Sequence, residues 1–138
     1  NSTLTITTDT NADGTLDGRY IYTDDSSGKR IQQIYDTGAD DIIDKIDTFV
    51  YDANGNRIAF LEDANADGLI DNTYTYDYNS QNLKIKETRD LGNDGVDEYY
   101  ETYHYDHLNR LSLLSNDSNA DGTLEFKEVH SWEAFNVD

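Results

Sequence analysis

The 138-residue chain carries 29 acidic against 10 basic residues, a formal net charge of −19. That charge repels a phosphate backbone and sets nucleic acid aside as a partner, and the absence of cysteine excludes disulfides, thiolate zinc sites and thiol catalysis. Low hydrophobicity with high net charge is the composition of a disordered chain, yet the aromatic share of 12%, mostly tyrosine, is high for one.

From the N-terminus, an extended stretch around Leu4 leads into the first of five related acidic segments. They begin at Asp9, Asp36, Asp63, Asp90 and Asp117, a constant interval of 27 residues. The first reads Asp9-Thr10-Asn11-Ala12-Asp13-Gly14-Thr15-Leu16-Asp17, that is D-x-N-x-D-G-x-x-D, and the third repeats it from Asp63 to Asp71. Calcium, a hard cation, takes six to eight oxygens; alternating Asp and Asn side chains supply them while Gly lets the chain turn sharply. Side-chain ligands are expected from Asp9, Asn11, Asp13 and Asp17 in loop one, and from Asp36, Asp40 and Asp44 in loop two. Loop three offers Asp63, Asn65, Asp67 and Asp71, loop four Asp90, Asp94 and Glu98, and loop five Asp117, Asn119, Asp121 and Glu125. First, fifth and ninth places hold fifteen of the 29 acids, and about five bound Ca²⁺ would take −19 to −9. Metal thus reconciles a disorder-like composition with a repeat kept in strict register.

An aromatic column follows five residues after each ninth place: Tyr22, Phe49, Tyr76 and Tyr103, with His130 in the last copy. The surrounding residues, such as Tyr20-Ile21-Tyr22, Thr73-Tyr74-Thr75-Tyr76 and Tyr99 to Tyr105, are β-branched or aromatic, and proline is absent, so strands are expected. Tight turns come next, at Asp25-Ser26-Ser27-Gly28, Asp52-Ala53-Asn54-Gly55, Asn79-Ser80-Gln81-Asn82 and Asp106-His107-Leu108-Asn109. Asp or Asn first and Gly or Asn fourth fits a type I turn closed by a left-handed residue. A return strand then carries Leu4, Ile31, Ile58 and Ile85, with Ser112 as the exception. The unit is strand, tight turn, strand, acidic loop: an all-β tandem repeat of antiparallel hairpins with all acidic loops along one side. Residues 1–138 are expected to form one such segment, a piece of a longer array, since the chain contains no Met and opens in mid-repeat.

A 54-residue period is superimposed. Loops one, three and five have Asn at the third place, whereas loops two and four have Gly38 and Gly92. Asp47, Glu101 and Glu128 stand at the twelfth place, where a carboxylate is the bidentate ligand of helical calcium loops, and are candidates to compensate. The alternation suggests four-stranded units or a two-layered or coiled sheet as alternatives to an elongated meander. Lys29, Arg30, Arg57, Lys84 and Arg110 lie just after the tight turns, giving a basic side that either pairs neighbouring modules or guards strand ends.

The acidic loop resembles the calcium-binding hairpin loop of integrin α-subunit propellers. That resemblance implies ligation by the first, third, fifth and ninth side chains and by the seventh carbonyl, here that of Thr15, Ile42, Leu69, Val96 and Thr123. The tight turn resembles the YD repeats of bacterial RHS-type proteins. Tyr51-Asp52-Ala53-Asn54-Gly55-Asn56-Arg57-Ile58 and Tyr105-Asp106-His107-Leu108-Asn109-Arg110-Leu111 carry the likeness. It implies a long β-sheet coil or shell in a large secreted or surface protein.

The function expected is non-enzymatic: a calcium-stabilised stalk, spacer or adhesion segment of a large extracellular protein of bacterial type, where calcium is near millimolar. His104, His107 and His130 have no nucleophile context that would argue catalysis. The alternatives are a carbohydrate-binding module using Tyr99, Tyr103, Tyr105 and Trp132, or a shell segment around a toxin or enzyme. Expected partners are calcium, then carbohydrate or neighbouring modules. No apolar run is long enough for membrane insertion.

Overall fold

The computed structural model describes residues 1–132. Their strands are β1 (Ser2–Thr8), β2 (Gly18–Asp24), β3 (Arg30–Thr37), β4 (Lys45–Tyr51) and β5 (Arg57–Asp63). The remainder are β6 (Asn72–Tyr78), β7 (Lys84–Leu91), β8 (Tyr99–Tyr105), β9 (Leu111–Asp117) and β10 (Phe126–Val129). All ten lie in one open antiparallel sheet in sequence order, so each strand touches only its neighbours in the chain. The elongated meander is what forms, in place of two stacked layers. No helix among the described residues is long and apolar enough to cross a membrane.

The four Asx turns are built alike. In the first, the N–H groups of Ser27 and Lys29 donate to Asp25 Oδ1 at 2.8 and 3.0 Å, and Asp25 N–H donates to Lys29 O at 2.8 Å. Asp52, Asn79 and Asp106 repeat the pattern. Gly28 (φ 84°) and Asn82 (φ 61°) supply the left-handed residue that the turn requires. A β-bulge follows in each hairpin, shifting the register at Thr23/Asp24, Val50/Tyr51, Asp77/Tyr78 and His104/Tyr105.

Side chains alternate between two faces. Register places Tyr20, Tyr35, Lys45, Asp47, Phe49, Phe60, Glu62, Tyr74, Arg89 and Tyr99 on one of them. The opposite face carries Ile21, Ile34, Ile46 and Leu61, then a hydroxyl row in which Thr75 meets Thr88 at 2.5 Å and Thr102 meets Ser115 at 2.7 Å. Tyr76, at 8% exposure, is the one buried large apolar residue among those described. A single layer has no second face to pack against, so burial cannot supply the stability of an ordinary core.

The basic residues after the turns lie over aromatic rings, three of them over the aromatic column. The Arg30 guanidinium sits 4.1 Å from the Tyr22 ring centre, Arg57 4.9 Å from Tyr76, Lys84 4.4 Å from Tyr103 and Arg110 5.3 Å from Trp132. Cation–π contact of this kind is worth about 0.5–1 kcal/mol at half-exposed sites and covers ring faces that no second layer protects. A further set of contacts links successive hairpins. Tyr51, Tyr78 and Tyr105 donate their hydroxyls to the carbonyls of Arg30, Arg57 and Lys84 at 2.9, 2.9 and 2.8 Å. Trp132 Nε1–H takes the same role toward Leu111 O at 2.9 Å. Each acceptor lies at a strand start beside a bulge, where the regular ladder leaves a carbonyl free.

Candidate metal sites

The five acidic loops fall along one side of the sheet, between β1 and β2, β3 and β4, β5 and β6, β7 and β8, and β9 and β10. Local sequence closes each one identically. The first-place carboxylate accepts the N–H groups of the fifth and sixth residues: Asp9 from Asp13 (3.2 Å) and Gly14 (2.8 Å), Asp63 from Asp67 (3.1 Å) and Gly68 (2.9 Å). Asp36, Asp90 and Asp117 do the same in their loops. Fifth-place Asp13, Asp40, Asp67, Asp94 and Asp121 accept the seventh-place N–H at 2.8 to 3.0 Å. Ninth-place Asp17, Asp44, Asp71, Glu98 and Glu125 accept the second-place N–H at 2.5 to 2.7 Å. Asn11, Asn65 and Asn119 accept the fifth-place N–H and turn their amides toward the fifth-place carboxylate.

First-, fifth- and ninth-place oxygens line each loop, third-place amide oxygens join them in loops one, three and five only, and among the described residues the acids converge as a group in loops four and five alone. In loops four and five the ninth residue is Glu, and there Asp90, Asp94 and Glu98, and likewise Asp117, Asp121 and Glu125, each bring an oxygen within 4.8 Å of one another. At the seventh place the side chains of Thr15, Ile42, Leu69, Val96 and Thr123 are exposed, leaving the backbone as the only group that could face the loop interior. Hydrogen bonds hold several of these acids ionised. The Thr15 amide and hydroxyl keep Asp13 below the usual carboxylate range, the Thr10 hydroxyl and amide do so for Asp17, and the Thr123 amide does so for Asp121.

Backbone conformation also carries strain. Fourth-place Ala12, Ala39, Ala66 and Ala120 have φ of 57°, 51°, 55° and 53°, and Asn93 has 49°. Left-handed alanine costs about 1–2 kcal/mol, so the loop is shaped against local preference.

The 54-residue alternation appears as paired loops. Gly38 N–H donates to Asp17 O, and Gly92 N–H to Asp71 O, both at 2.7 Å. The β2–β3 and β6–β7 ladders therefore run one pair further toward the loops than β4–β5 and β8–β9 do. Gly38 and Gly92 reach this contact with φ of 110° and 91°, which explains the loss of Asn at those places. The twelfth-place acids do not compensate. Asp47 faces the aromatic side, accepting the Tyr35 hydroxyl at 2.8 Å beside Lys45 at 3.3 Å. Glu101 accepts from Tyr103, and Glu128 lies 3.5 Å from His130. Extended backbone sends alternate side chains to opposite faces, and these three point away from their loops. Of the aromatic residues weighed as a sugar platform, Tyr105 is half-buried with its hydroxyl engaged, while Trp132 is 52% exposed.

Charge compensation sets loop two apart. The Asp36 side chain is 1% exposed and pairs with Arg19 at 2.7 Å. Asp63 and Asp117 are nearly as buried, at 4% and 5%, yet neither forms an ion pair with any described Lys, Arg or His. A buried carboxylate that keeps its charge without a cation costs several kcal/mol. The donor set — carboxylates, amide oxygens and carbonyls, with neither sulfur nor imidazole — is the one calcium prefers. No protein-family model matches the sequence, and no curated protein matches it, so the functional reading stands on this geometry.

Proposed function

We propose that the acidic loops bind calcium and that the chain is a calcium-stiffened structural segment, a stalk, spacer or adhesive surface, of a large extracellular protein. The observation that carries this reading is the buried, cation-free carboxylate of Asp63, repeated at Asp117. The chain's own residues prepare the loop: first- and fifth-place aspartates are pinned by loop amides, which fixes their carboxylates in place and leaves each oxygen a further lone pair. A bound divalent ion would supply the charge that these clustered acids need. One site at a hundred times its dissociation constant stabilises the folded state by about 2.7 kcal/mol. Several such sites together rival the stability of an ordinary domain, which a single-layer sheet cannot draw from its core. Modular sites of this kind fill near millimolar calcium, hence the extracellular setting.

The test is a calorimetric calcium titration paired with circular dichroism in excess chelator. Multiple-site binding heat and chelator-induced loss of β signal support the reading. An absence of binding heat, or a spectrum and Tm indifferent to chelation, refutes it.

A further inference from the structure

We propose that loop two takes its cation from the chain itself: the Arg19 guanidinium neutralises it, and calcium binds at the other loops only. The ion count rests on the calcium reading above, whereas the guanidinium pairing stands without it. Arg19 lies on β2 directly opposite Asp36 in the β2–β3 ladder. One terminal nitrogen of its guanidinium meets Asp36 Oδ2 at 2.7 Å and the other meets Asp41 Oδ1 at 2.5 Å. The fork spans the first and sixth places of the loop, a planar two-point grip that suits Arg and not Lys.

Loop two departs from the others at the same places. Its sixth residue is Asp41, where the other four loops have Gly14, Gly68, Gly95 and Gly122. Asp41 holds φ at 70°, a conformation an aspartate adopts at a cost, and the Arg19 contact offsets it. The third residue is Gly38, which brings no side-chain oxygen. One ligand is therefore missing, and the added acid serves the guanidinium. The residues standing opposite the first-place Asp of loops three, four and five are Ile46, Thr73 and Tyr100, all uncharged. Loop four makes the closest comparison, since it shares the third-place Gly. There the hydroxyl of Thr73 reaches Asn93 at 2.8 Å, no cation enters, and Asp90, Asp94 and Glu98 converge. One position, opposite the first aspartate, thus decides whether a loop has a permanent internal charge or depends on calcium. Because guanidinium does not lose its proton in the physiological range, the countercharge of loop two does not depend on the calcium level.

Two measurements test this. In calorimetric titration, Asp40→Asn in loop two should leave the number of calcium ions unchanged, whereas Asp67→Asn in loop three should remove one. Loss of an ion from the Asp40 variant overturns the proposal. In millimolar calcium, a double-mutant cycle of Arg19→Gln and Asp36→Asn followed by urea unfolding should show coupling of at least about tenfold in the unfolding constant. Additive effects overturn it, and should Asp36→Asn fail to fold, Asp41→Asn takes its place in the cycle. A wild-type chain that takes up no calcium sinks the reading of the other loops, and the cycle then decides alone whether Arg19 is the cation of loop two.

Discussion

Replacing Asp63 by Asn separates the metal contribution from everything else the residue does. The carboxylate accepts two loop amides, at 3.1 and 2.9 Å, and is 4% exposed with no ion-pair partner. Asn is isosteric but has one acceptor oxygen, so one of the two amide bonds is lost, at about 1 kcal/mol. The same change removes a buried uncompensated charge, which offsets that loss wherever the loop has no metal. In calcium at a hundred times the dissociation constant, loss of the site adds about 2.7 kcal/mol, and a total near 3–4 kcal/mol corresponds to a Tm fall of about 10 °C or more. The sharper readout is the dependence of unfolding free energy on calcium concentration, followed by urea unfolding at a series of calcium levels. Each bound ion contributes about 1.4 kcal/mol per decade of free calcium. Asp63→Asn should therefore lower that slope by one ion's worth while hardly altering stability extrapolated to zero calcium. An unchanged slope, or an equal loss with and without calcium, refutes the reasoning.

Other expectations follow from the loops, the turns and the aromatic face. Ala66→Gly relieves a residue held at φ 55° and should stabilise the chain by about 1 kcal/mol in urea unfolding; destabilisation would show that the fourth place is not strained. Tyr105→Phe removes the hydroxyl donated to Lys84 O at 2.8 Å and should cost about 0.5–1.5 kcal/mol, whereas no cost would show the inter-hairpin tie to be idle. Burial, then the Asp47 carboxylate, raises the Tyr35 phenol from near 10 to about 12, and burial together with Glu101 also raises Tyr103. The folded state holds these protons more tightly, so their contribution is complete below pH 10 and fades as pH climbs toward 12. Ultraviolet titration should show late-ionising tyrosines alongside that loss, and simultaneous ionisation of all tyrosines near pH 10 would contradict it. At the acid end Lys45 holds Glu62 below the usual carboxylate range. Its contribution is present above the ordinary pKa and lost as pH falls through the lowered one, so Glu62→Gln should flatten the acid limb of stability against pH.

Strands, turns and loops were legible because each is specified locally. The Asp25, Asp52, Asn79 and Asp106 turns depend on side chains bonding amides two and four residues on, and the acidic loops on contacts within nine residues. What sequence reading missed lies across strands. That Arg19 faces Asp36 follows only once the β2–β3 register is known, and the register itself depends on a bulge at Thr23/Asp24. Gly38 and Gly92 read as lost ligands; in the sheet they are donors that join neighbouring loops. Strand alternation could have redirected Asp47 and Glu101, since an even offset from Tyr35-facing positions places them among the tyrosines. The turn-side bases read as guards or docking charges, and their stacking on Tyr22, Tyr76 and Tyr103 follows only once the register of the neighbouring strand is known.

Because the ten strands follow one another in chain order, the first and last stand at opposite margins of the sheet. Tension applied between those margins acts across the strands, so hydrogen bonds break in succession and hairpins peel away singly. Each 27-residue unit, Asp9 to Asp36 for example, would release roughly 90 Å of slack at full extension. Under such a load the sheet would yield in steps, and the Tyr51, Tyr78 and Tyr105 hydroxyls, which tie each hairpin to the next, would be among the bonds that part at each one.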